Sequence, residues 1–153
     1  MSEVKPYDGS RIVVCSSGFL DPLHEGHLEY LERSKALGDV HVVIVNNDHQ
    51  AMLKKGTPFM PAAERLKIVR GLRCVDFAIL AVDTDRSVCE TLKAIRPHIF
   101  TNGGDQTNEG VPEAVVCNAL GIRMVDGLGA KIQSSSKLIE HAKAIGNYKL
   151  QQK

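Results

Sequence analysis

Two histidines three residues apart are the first feature of the sequence that could do chemistry. They are His24 and His27, and they lie in a glycine-containing segment that starts at Gly18. A β-branched run precedes the segment and an amphipathic pattern follows it, which predicts a strand, a loop and a helix. The N-terminus of such a helix suits phosphate. Imidazole N–H groups beside it could stabilise the charge that develops during phosphoryl transfer.

Two other interpretations of this pair stay open. Each histidine alone is most simply a surface residue beside an ordinary helix start. Together they are close enough to share a zinc ion, but zinc needs a third or fourth ligand, and no nearby Cys or carboxylate is obviously placed to supply one. Glycines on both sides and Asp21 directly after a strand favour a phosphate site.

A second candidate site is a pair of lysines after the second predicted strand. Lys54 and Lys55 precede Gly56 and can bind phosphate as point charges. Such a pair alone is more often a solvated loop, but this loop leaves the same sheet edge as the histidine segment. Arg65 follows Glu64 at the start of the next predicted helix, and it could pair with a phosphate or with a carboxylate of the fold.

Two further segments could contact a nucleotide. Asn102 begins an Asn-Gly-Gly-Asp sequence, which taken alone is a common turn. Three serines at 134–136 begin the last predicted helix, where one of them is an ordinary N-cap. Their hydroxyls and backbone N–H groups could hold a polyphosphate, and Lys131 could add positive charge.

Alternating strands and helices position these segments. The runs at 12–15 and 40–45 are nearly continuous and apolar, as in strands covered on both faces. A helix predicted over 27–37, with Gly38 as its C-cap, completes a βαβ unit. The remaining predicted elements are strands at 77–82, 99–100 and 122–125, and helices starting at Pro61 and covering 88–95, 112–120 and 134–145.

This rhythm predicts a single Rossmann-like α/β domain, with a five-stranded parallel sheet and helices on both faces. We place the domain at 11–146, between an N-terminal extension at 1–10 and a tail at 147–153. Ligands of such sheets bind at the carboxyl ends of the strands, near the point where the strand order reverses. All the candidate segments follow predicted strands.

Composition narrows the class of protein. The 153 residues fit one compact domain, and a net charge of +1 argues against a broad nucleic-acid-binding face. The longest apolar runs are far too short for a membrane span, and the first residues lack a secretory signal. Four scattered cysteines without a CxxC pair suggest reduced thiols. We therefore expect a cytoplasmic protein without membrane or nucleic-acid partners.

The segment from Gly18 to His27 resembles the G-x-F-D-x-x-H-x-G-H signature of the cytidylyltransferase-like nucleotidyltransferases, with Leu20 in place of the usual Phe. The resemblance extends from Arg11 to about Ile145. It is closest to the adenylyltransferase domain of ADP-heptose synthase, followed by glycerol-3-phosphate cytidylyltransferase. It implies transfer of CMP or AMP from CTP or ATP to a phosphorylated small molecule (a sugar, polyol or alkyl phosphate or phosphonate), with release of pyrophosphate. It also implies Mg²⁺ and a homodimer.

The same resemblance implies roles for individual residues. His24, His27 and Lys55 are expected to be catalytic. Lys55 and Arg65 are expected to bind the acceptor, and no residue is expected to hold a resident metal. The residues expected to contact the nucleotide are Gly18, Phe19, Leu20, Asp21, Gly26, Gly103, Gly104, Asp105, Gln133, Ser134, Ser135 and Ser136. Gln133 departs from the apolar residue or Cys common there, and Asn102 replaces a Lys often found in heptose-phosphate enzymes, which weakens the case for a heptose acceptor.

Other functions remain open at this stage. A nucleotide-binding regulatory protein that has lost turnover could use the same fold. Pantetheine or nicotinamide phosphate could be the acceptor, although enzymes of that type usually carry longer specificity segments or a different closing motif. A zinc-binding module built on the six histidines ranks last. The sequence does not choose between CTP and ATP.

Overall fold

A computed structural model describes residues 11–103, 111–128 and 141–144. Five parallel strands form one sheet in the order β3-β2-β1-β4-β5, and helices connect them. The predicted Rossmann-like α/β fold is therefore confirmed. The elements are β1 (Val13–Gly18), α1 (Glu25–Lys35), β2 (Val40–Val45), α2 (Asp48–Lys54), α3 (Ala62–Arg70), β3 (Phe77–Leu80), α4 (Cys89–Ile95), β4 (Ile99–Gly103), α5 (Glu113–Leu120) and β5 (Arg123–Leu128).

Helices cover both faces of the sheet, and strand β2 shows why. Its side chains alternate between the faces, so Val43 and Val45 pack on one side and Ile44 on the other. The first side is completed by Leu31 of α1 and Val69 of α3. The second is completed by residues of α4 and α5, among them Leu92 and Cys117. Both cores are buried, which explains the continuous apolar run of β2.

The order of the strands reverses between β1 and β4. Strand β1 pairs with β2 over its whole length, from Val13 to Gly18. On its other side it pairs with β4 only as far as Ser16 and Thr101. The chain leaves β1 and β4 in opposite directions across the sheet, and a crevice at their carboxyl ends is where such folds bind ligands. We call this crevice the switch point.

Helix α1 differs from the prediction at both ends. It begins at Glu25 with His24 as its N-cap, and it ends at Lys35 with Ala36 as its C-cap. Gly38 is therefore not the cap. A Cβ atom there would lie 2.7 Å from the carbonyl oxygen of Ile12, so the glycine is required by close contact with the start of the sheet.

Helix α2 was not predicted, because its seven residues lie where a lysine-bearing loop was expected. Asn47 caps it by accepting from the backbone N–H of Gln50, and Gln50 returns a contact to the backbone of Asn47. This reciprocal capping box stabilises a short helix. As a result Lys54 ends α2, and Lys55 is its C-cap.

The other boundaries move by a few residues. Strands β1, β4 and β5 run further towards their carboxyl ends than expected, β3 ends two residues earlier, and Pro61 is the N-cap of α3. Residues 141–144 are helical. The rest of the predicted closing helix, the extension at 1–10 and the tail lie outside the described residues, so the domain limits remain predictions. Within the described ranges, no helix is long and apolar enough to cross a membrane.

Candidate phosphate-binding site at the switch point

The two histidines form the N-terminal cap of α1. His24 Nδ1 accepts a hydrogen bond from the backbone N–H of Gly26 at 3.1 Å. His27 Nδ1 accepts from the backbone N–H of His24 at 3.2 Å. The two rings stack, with their centroids 3.7 Å apart. The sequence folds in this way because imidazoles here perform the reciprocal capping that Ser and Glu perform in other helices.

This capping determines which ring nitrogen carries the proton. Each Nδ1 atom accepts a backbone hydrogen bond, so it has no proton in the neutral ring. The proton of each neutral imidazole is then on Nε2, the nitrogen further from the backbone. His24 and His27 thus carry Nε2–H donors on two stacked rings at a helix N-terminus, which is an arrangement suited to phosphate oxygens.

Positive charge surrounds His27. Burial of the ring, followed by the charges of His24, Lys54 and Lys55, lowers the pKa of His27 from 6.5 to about 4. His27 is therefore neutral near pH 7 and acts as a hydrogen-bond donor. A polyphosphate would add further negative charge beside these cations.

Asp21 fastens the loop after β1 to the segment before α3. Its carboxylate accepts from the backbone N–H groups of Phe59 at 2.8 Å and Met60 at 2.7 Å. Burial alone would raise the pKa of Asp21, but the hydrogen bonds from Lys55, Met60 and Phe59 and the charge of Lys55 hold it below its ordinary value. The side chain has no exposed surface. Its geometry is that of a structural anchor, and only its backbone is left to meet a nucleotide.

Lys55 extends over the same loop. Its Nζ lies 2.7 Å from Asp21 Oδ2 and donates to the carbonyl oxygen of Asp21 at 3.0 Å. An ammonium has three donors, so one is left beyond these two contacts. The side chain is 31% exposed, which lets that donor face a ligand. The contact with Asp21 brings the second loop beside the first, as expected from the strand order.

Arg65, which is predicted to bind the acceptor, is buried beneath the loops of the site. Its guanidinium has no exposed surface and pairs with Asp48 at 2.8 Å, which is the carboxylate alternative left open by the sequence. It also donates to the carbonyl oxygens of Phe19 and Asn46, each at 2.7 Å, and to that of Met60 at 3.0 Å. Four of its five donors are thereby used inside the protein. Arg65 holds the loops after β1 and β2 together from beneath.

The other predicted residues of the first loop divide into core and surface. Leu20 is buried in the core with a φ of 53°, so only its backbone could meet a nucleotide. Phe19 is half-buried, and Lys54 Nζ lies 4.5 Å from its ring centroid. A Cβ atom on Gly18 would lie 3.2 Å from Leu20, so the glycine accommodates that packing.

The sequence analysis missed the polar clamp that holds the second loop. Gln50 is buried, and its Nε2 donates to the carbonyl oxygens of Asp85 at 2.8 Å and Ser87 at 2.7 Å. Asn47 Nδ2 donates to the carbonyl oxygens of Ala81 and Asp83, both at 3.0 Å. The clamp fixes the loop after β2 to the segment after β3. The Asn-x-x-Gln spacing was the available signal, because it is a capping-box pattern.

The remaining predicted site residues are not all described. Gly103 ends β4 at the switch point. The residues that lie outside the described ranges are Gly104, Asp105, Lys131, Gln133, Ser134, Ser135 and Ser136. Among the residues the structure does describe, no three His, Cys, Asp or Glu side chains come together as a metal site. The described polar groups of this site are cations and N–H donors, which suit phosphate oxygens and not a metal ion. They are compatible with a metal that is carried by a triphosphate.

Comparison with known proteins identifies the family. The model of the cytidylyltransferase-like family matches residues 17–141. An FAD synthase of Methanothrix thermoacetophila is 45% identical over 98 residues, covering 64% of this chain and 66% of that protein. The bifunctional protein HldE of Citrifermentans bemidjiense is 38% identical over 136 residues, covering 84% of this chain and 26% of that protein. The chain thus spans about a quarter of the HldE relative.

A solved structure supports the fold independently. The crystal structure of the lipopolysaccharide core biosynthesis protein from Thermoplasma volcanium GSS1 is 32% identical and superposes with a TM-score of 0.66. It covers 78% of this chain, and this chain covers 98% of it. With its histidine-capped helix at the switch point and a family match over most of its length, the chain belongs to the cytidylyltransferase-like family of nucleotidyltransferases.

Proposed function

We propose that this protein transfers AMP from ATP to the phosphate of a phosphorylated small molecule and releases pyrophosphate. The observation that carries the proposal is the stacked pair His24 and His27 at the N-terminus of α1, beside Lys54 and Lys55. Similarity to an FAD synthase favours adenine over cytosine, because FAD contains an AMP unit. A phosphorylated acceptor is supported by the same relative, since the other half of FAD is a flavin phosphate.

The chemistry follows from the charges of the site. The triphosphate lies at the N-terminus of α1, where the Nε2–H groups of His24 and His27 donate to its oxygens. The acceptor phosphate is already ionised near neutral pH, so it attacks the α-phosphorus without a general base. Pyrophosphate leaves in line with the attack. Positioning and neutralisation of charge therefore provide the catalysis.

Lys55 holds the acceptor in this proposal. Two of its donors are fixed by Asp21, which aims the third along one direction. A lysine fixed in this way binds a phosphate oxygen at lower entropic cost than a free one. Asp21 itself stays a structural anchor, because its oxygens are occupied by backbone N–H groups.

A magnesium ion carried by the triphosphate would supply neutralisation of phosphate charge. Because it keeps most of its waters, it needs few protein ligands. The residues at 133–136 and the Gly-Gly-Asp segment complete the nucleotide site in this proposal. A cytoplasmic location and a homodimer remain predictions.

A regulatory protein without turnover is the alternative. It would keep nucleotide affinity and lose transfer. The capped histidine pair argues against it, because Nε2–H donors on two stacked rings suit a charge that builds up during reaction.

The test is pyrophosphate release with Mg²⁺, crossing ATP, CTP, GTP and UTP against a panel of sugar, polyol, alkyl and flavin phosphates and phosphonates. We expect release with ATP and one class of acceptor. His27→Ala should reduce kcat by about 100-fold or more, as loss of a donor to a developing charge does elsewhere. His49→Ala is the matched control, because His49 is exposed on α2. Tight ATP binding without release for every acceptor would favour the regulatory protein.

A further inference from the structure

A network of buried polar side chains lies beneath the histidine pair. It connects α1 with three strands of the sheet inside an otherwise apolar core. Every member is nearly or fully buried, with Tyr30 the most exposed at 6%. The members are Ser16 on β1, Tyr30 and Ser34 on α1, His41 on β2 and Thr101 on β4.

Tyr30 lies where β1 and β4 separate. Its hydroxyl donates to the carbonyl oxygen of Thr101 at 2.8 Å. It also lies 3.3 Å from the backbone nitrogen of Ser17 and 3.4 Å from the oxygen of the same residue. Pairing of β1 with β4 ends at Ser16 and Thr101. One hydroxyl thus contacts both strands where their pairing ends, next to the crevice.

The other hydrogen bonds of this network have defined donors and acceptors. His41 Nδ1 lies 2.7 Å from the carbonyl oxygen of Cys74, which can only accept, so this nitrogen carries the proton. Nε2 of the neutral ring then accepts from Ser16 Oγ at 2.7 Å. Because Ser16 has given up its single proton, Thr101 Oγ1 is the donor in their 2.8 Å contact.

Ser34 completes the network on the helix side. Its hydroxyl lies 2.9 Å from Thr101 Oγ1 and 2.8 Å from the carbonyl oxygen of Tyr30. The hydroxyl of Thr101 is therefore surrounded by α1 on one side and β1 on the other. Each polar group of the network has a partner, as burial requires.

The network fixes the helix that carries the histidines. Tyr30 is one turn after His27 on α1, and Ser34 is one further turn along the helix. An α-helix of this length moves as a rigid rod, so a shift at Tyr30 displaces the imidazoles by a similar distance. A buried polar network is seldom better for stability than apolar packing of the same shape. Its directional contacts instead fix the rotation of the helix about its axis and the distance of the helix from the sheet.

We propose that the Tyr30 hydroxyl and the Thr101 side chain are positioning groups, which set the histidine pair of α1 against the carboxyl ends of β1 and β4. The proposal rests on the proposed function. Neither residue touches the reacting atoms. Their removal should misplace the donors at the transition state and leave ground-state binding of ATP largely intact.

The variants are Tyr30→Phe, which removes one oxygen atom, and Thr101→Val, which removes the hydroxyl. We expect kcat to fall by about 10-fold in both, since small misplacements of catalytic groups cost up to about 100-fold. KM for ATP should change little. Thr101→Ser keeps the hydroxyl and should restore kcat. Ile122→Val, in the core on the opposite face of the sheet, is the control for a general loss of stability.

A second measurement needs no turnover. Two-dimensional ¹H–¹⁵N spectra of the imidazole nitrogens report the environment of His24 and His27 without any substrate. We expect these resonances to shift in Tyr30→Phe and to stay in place in Ile122→Val. Wild-type kcat with unshifted resonances in both hydroxyl variants would overturn the proposal. So would an equal loss of kcat in Ile122→Val at the same melting temperature. If the wild-type protein transfers no AMP but Tyr30→Phe still shifts these resonances, the network is supported and the proposed reaction is refuted.

Discussion

In the proposed function, the chemistry of the site depends on residues that also have a structural role. His24 and His27 cap a helix with one nitrogen and keep the other as a donor. Their positions could be read from the sequence because the spacing is specific. The burial of Arg65 could not, because an arginine at a helix start has the same pattern whether it faces a ligand or a carboxylate.

At this scale, stability should depend on pH through His27. Its pKa in the folded protein, about 4, lies below the ordinary 6.5. Between these values the unfolded chain binds more protons, so stability is lost as the pH falls from about 6.5 to about 4. The loss is at most about 3 kcal/mol. Urea unfolding at a series of pH values measures it.

The control variant for this titration is His27→Asn, whose side-chain oxygen can replace the Nδ1 acceptor without titrating. We expect a flatter dependence of the free energy of unfolding on pH in this window. Parallel curves for the two proteins would show that the environment of His27 does not depress its pKa.

Asp21 gives a second prediction for a single residue. Asp21→Asn removes the charge that holds Lys55 and one of the two acceptors of backbone N–H groups. The variant should lose about 1–3 kcal/mol of stability. KM for the acceptor should rise more than KM for ATP, because Lys55 is no longer fixed. Asp39→Asn, on the turn before β2, is the control. Equal increases of the two KM values in Asp21→Asn would contradict the assignment of Lys55 to the acceptor.

At the scale of elements, the alternation of strands and helices was predictable, and the ends were not. Helix α2 was missed because seven residues are too few for a periodic pattern, although its capping box was visible in the sequence. Gly38 was assigned to a helix end because glycine is common there. Its actual requirement is a tertiary contact with Ile12, which no local pattern contains.

Gly38 can be tested directly. Gly38→Ala places a Cβ atom 2.7 Å from the Ile12 oxygen and from a methyl group of Val14, so β1 and the turn must separate. We expect a loss of about 1–3 kcal/mol in urea unfolding. Gly71→Ala is matched to it, because the nearest atom there is at 3.4 Å and Gly71 has a φ of −83°. A similar loss of unfolding free energy in both variants would show that the close contact is not the reason for glycine at position 38.

At the scale of the whole molecule, the parallel sheet could be predicted from composition and from the alternation of strand and helix patterns alone. The strand order is a finding of the structure, and it explains why the loops after β1 and β2 and the end of β4 meet at one edge of the sheet. Strands β1 and β4 are neighbours although four helices and two strands lie between them along the chain. The sequence therefore indicated separate parts of a candidate site, and the fold brings the described parts together at one crevice.

The most direct test of nucleotidyl transfer at the switch point is the fate of labelled ATP. The protein is incubated with Mg²⁺ and the acceptor that supports pyrophosphate release, using ATP labelled at the α or the γ phosphorus. Label from the α position should appear in the acceptor product, label from the γ position should appear only in pyrophosphate, and His27→Ala should slow both by about 100-fold or more. Transfer of the γ label to the acceptor would show a kinase and contradict the account.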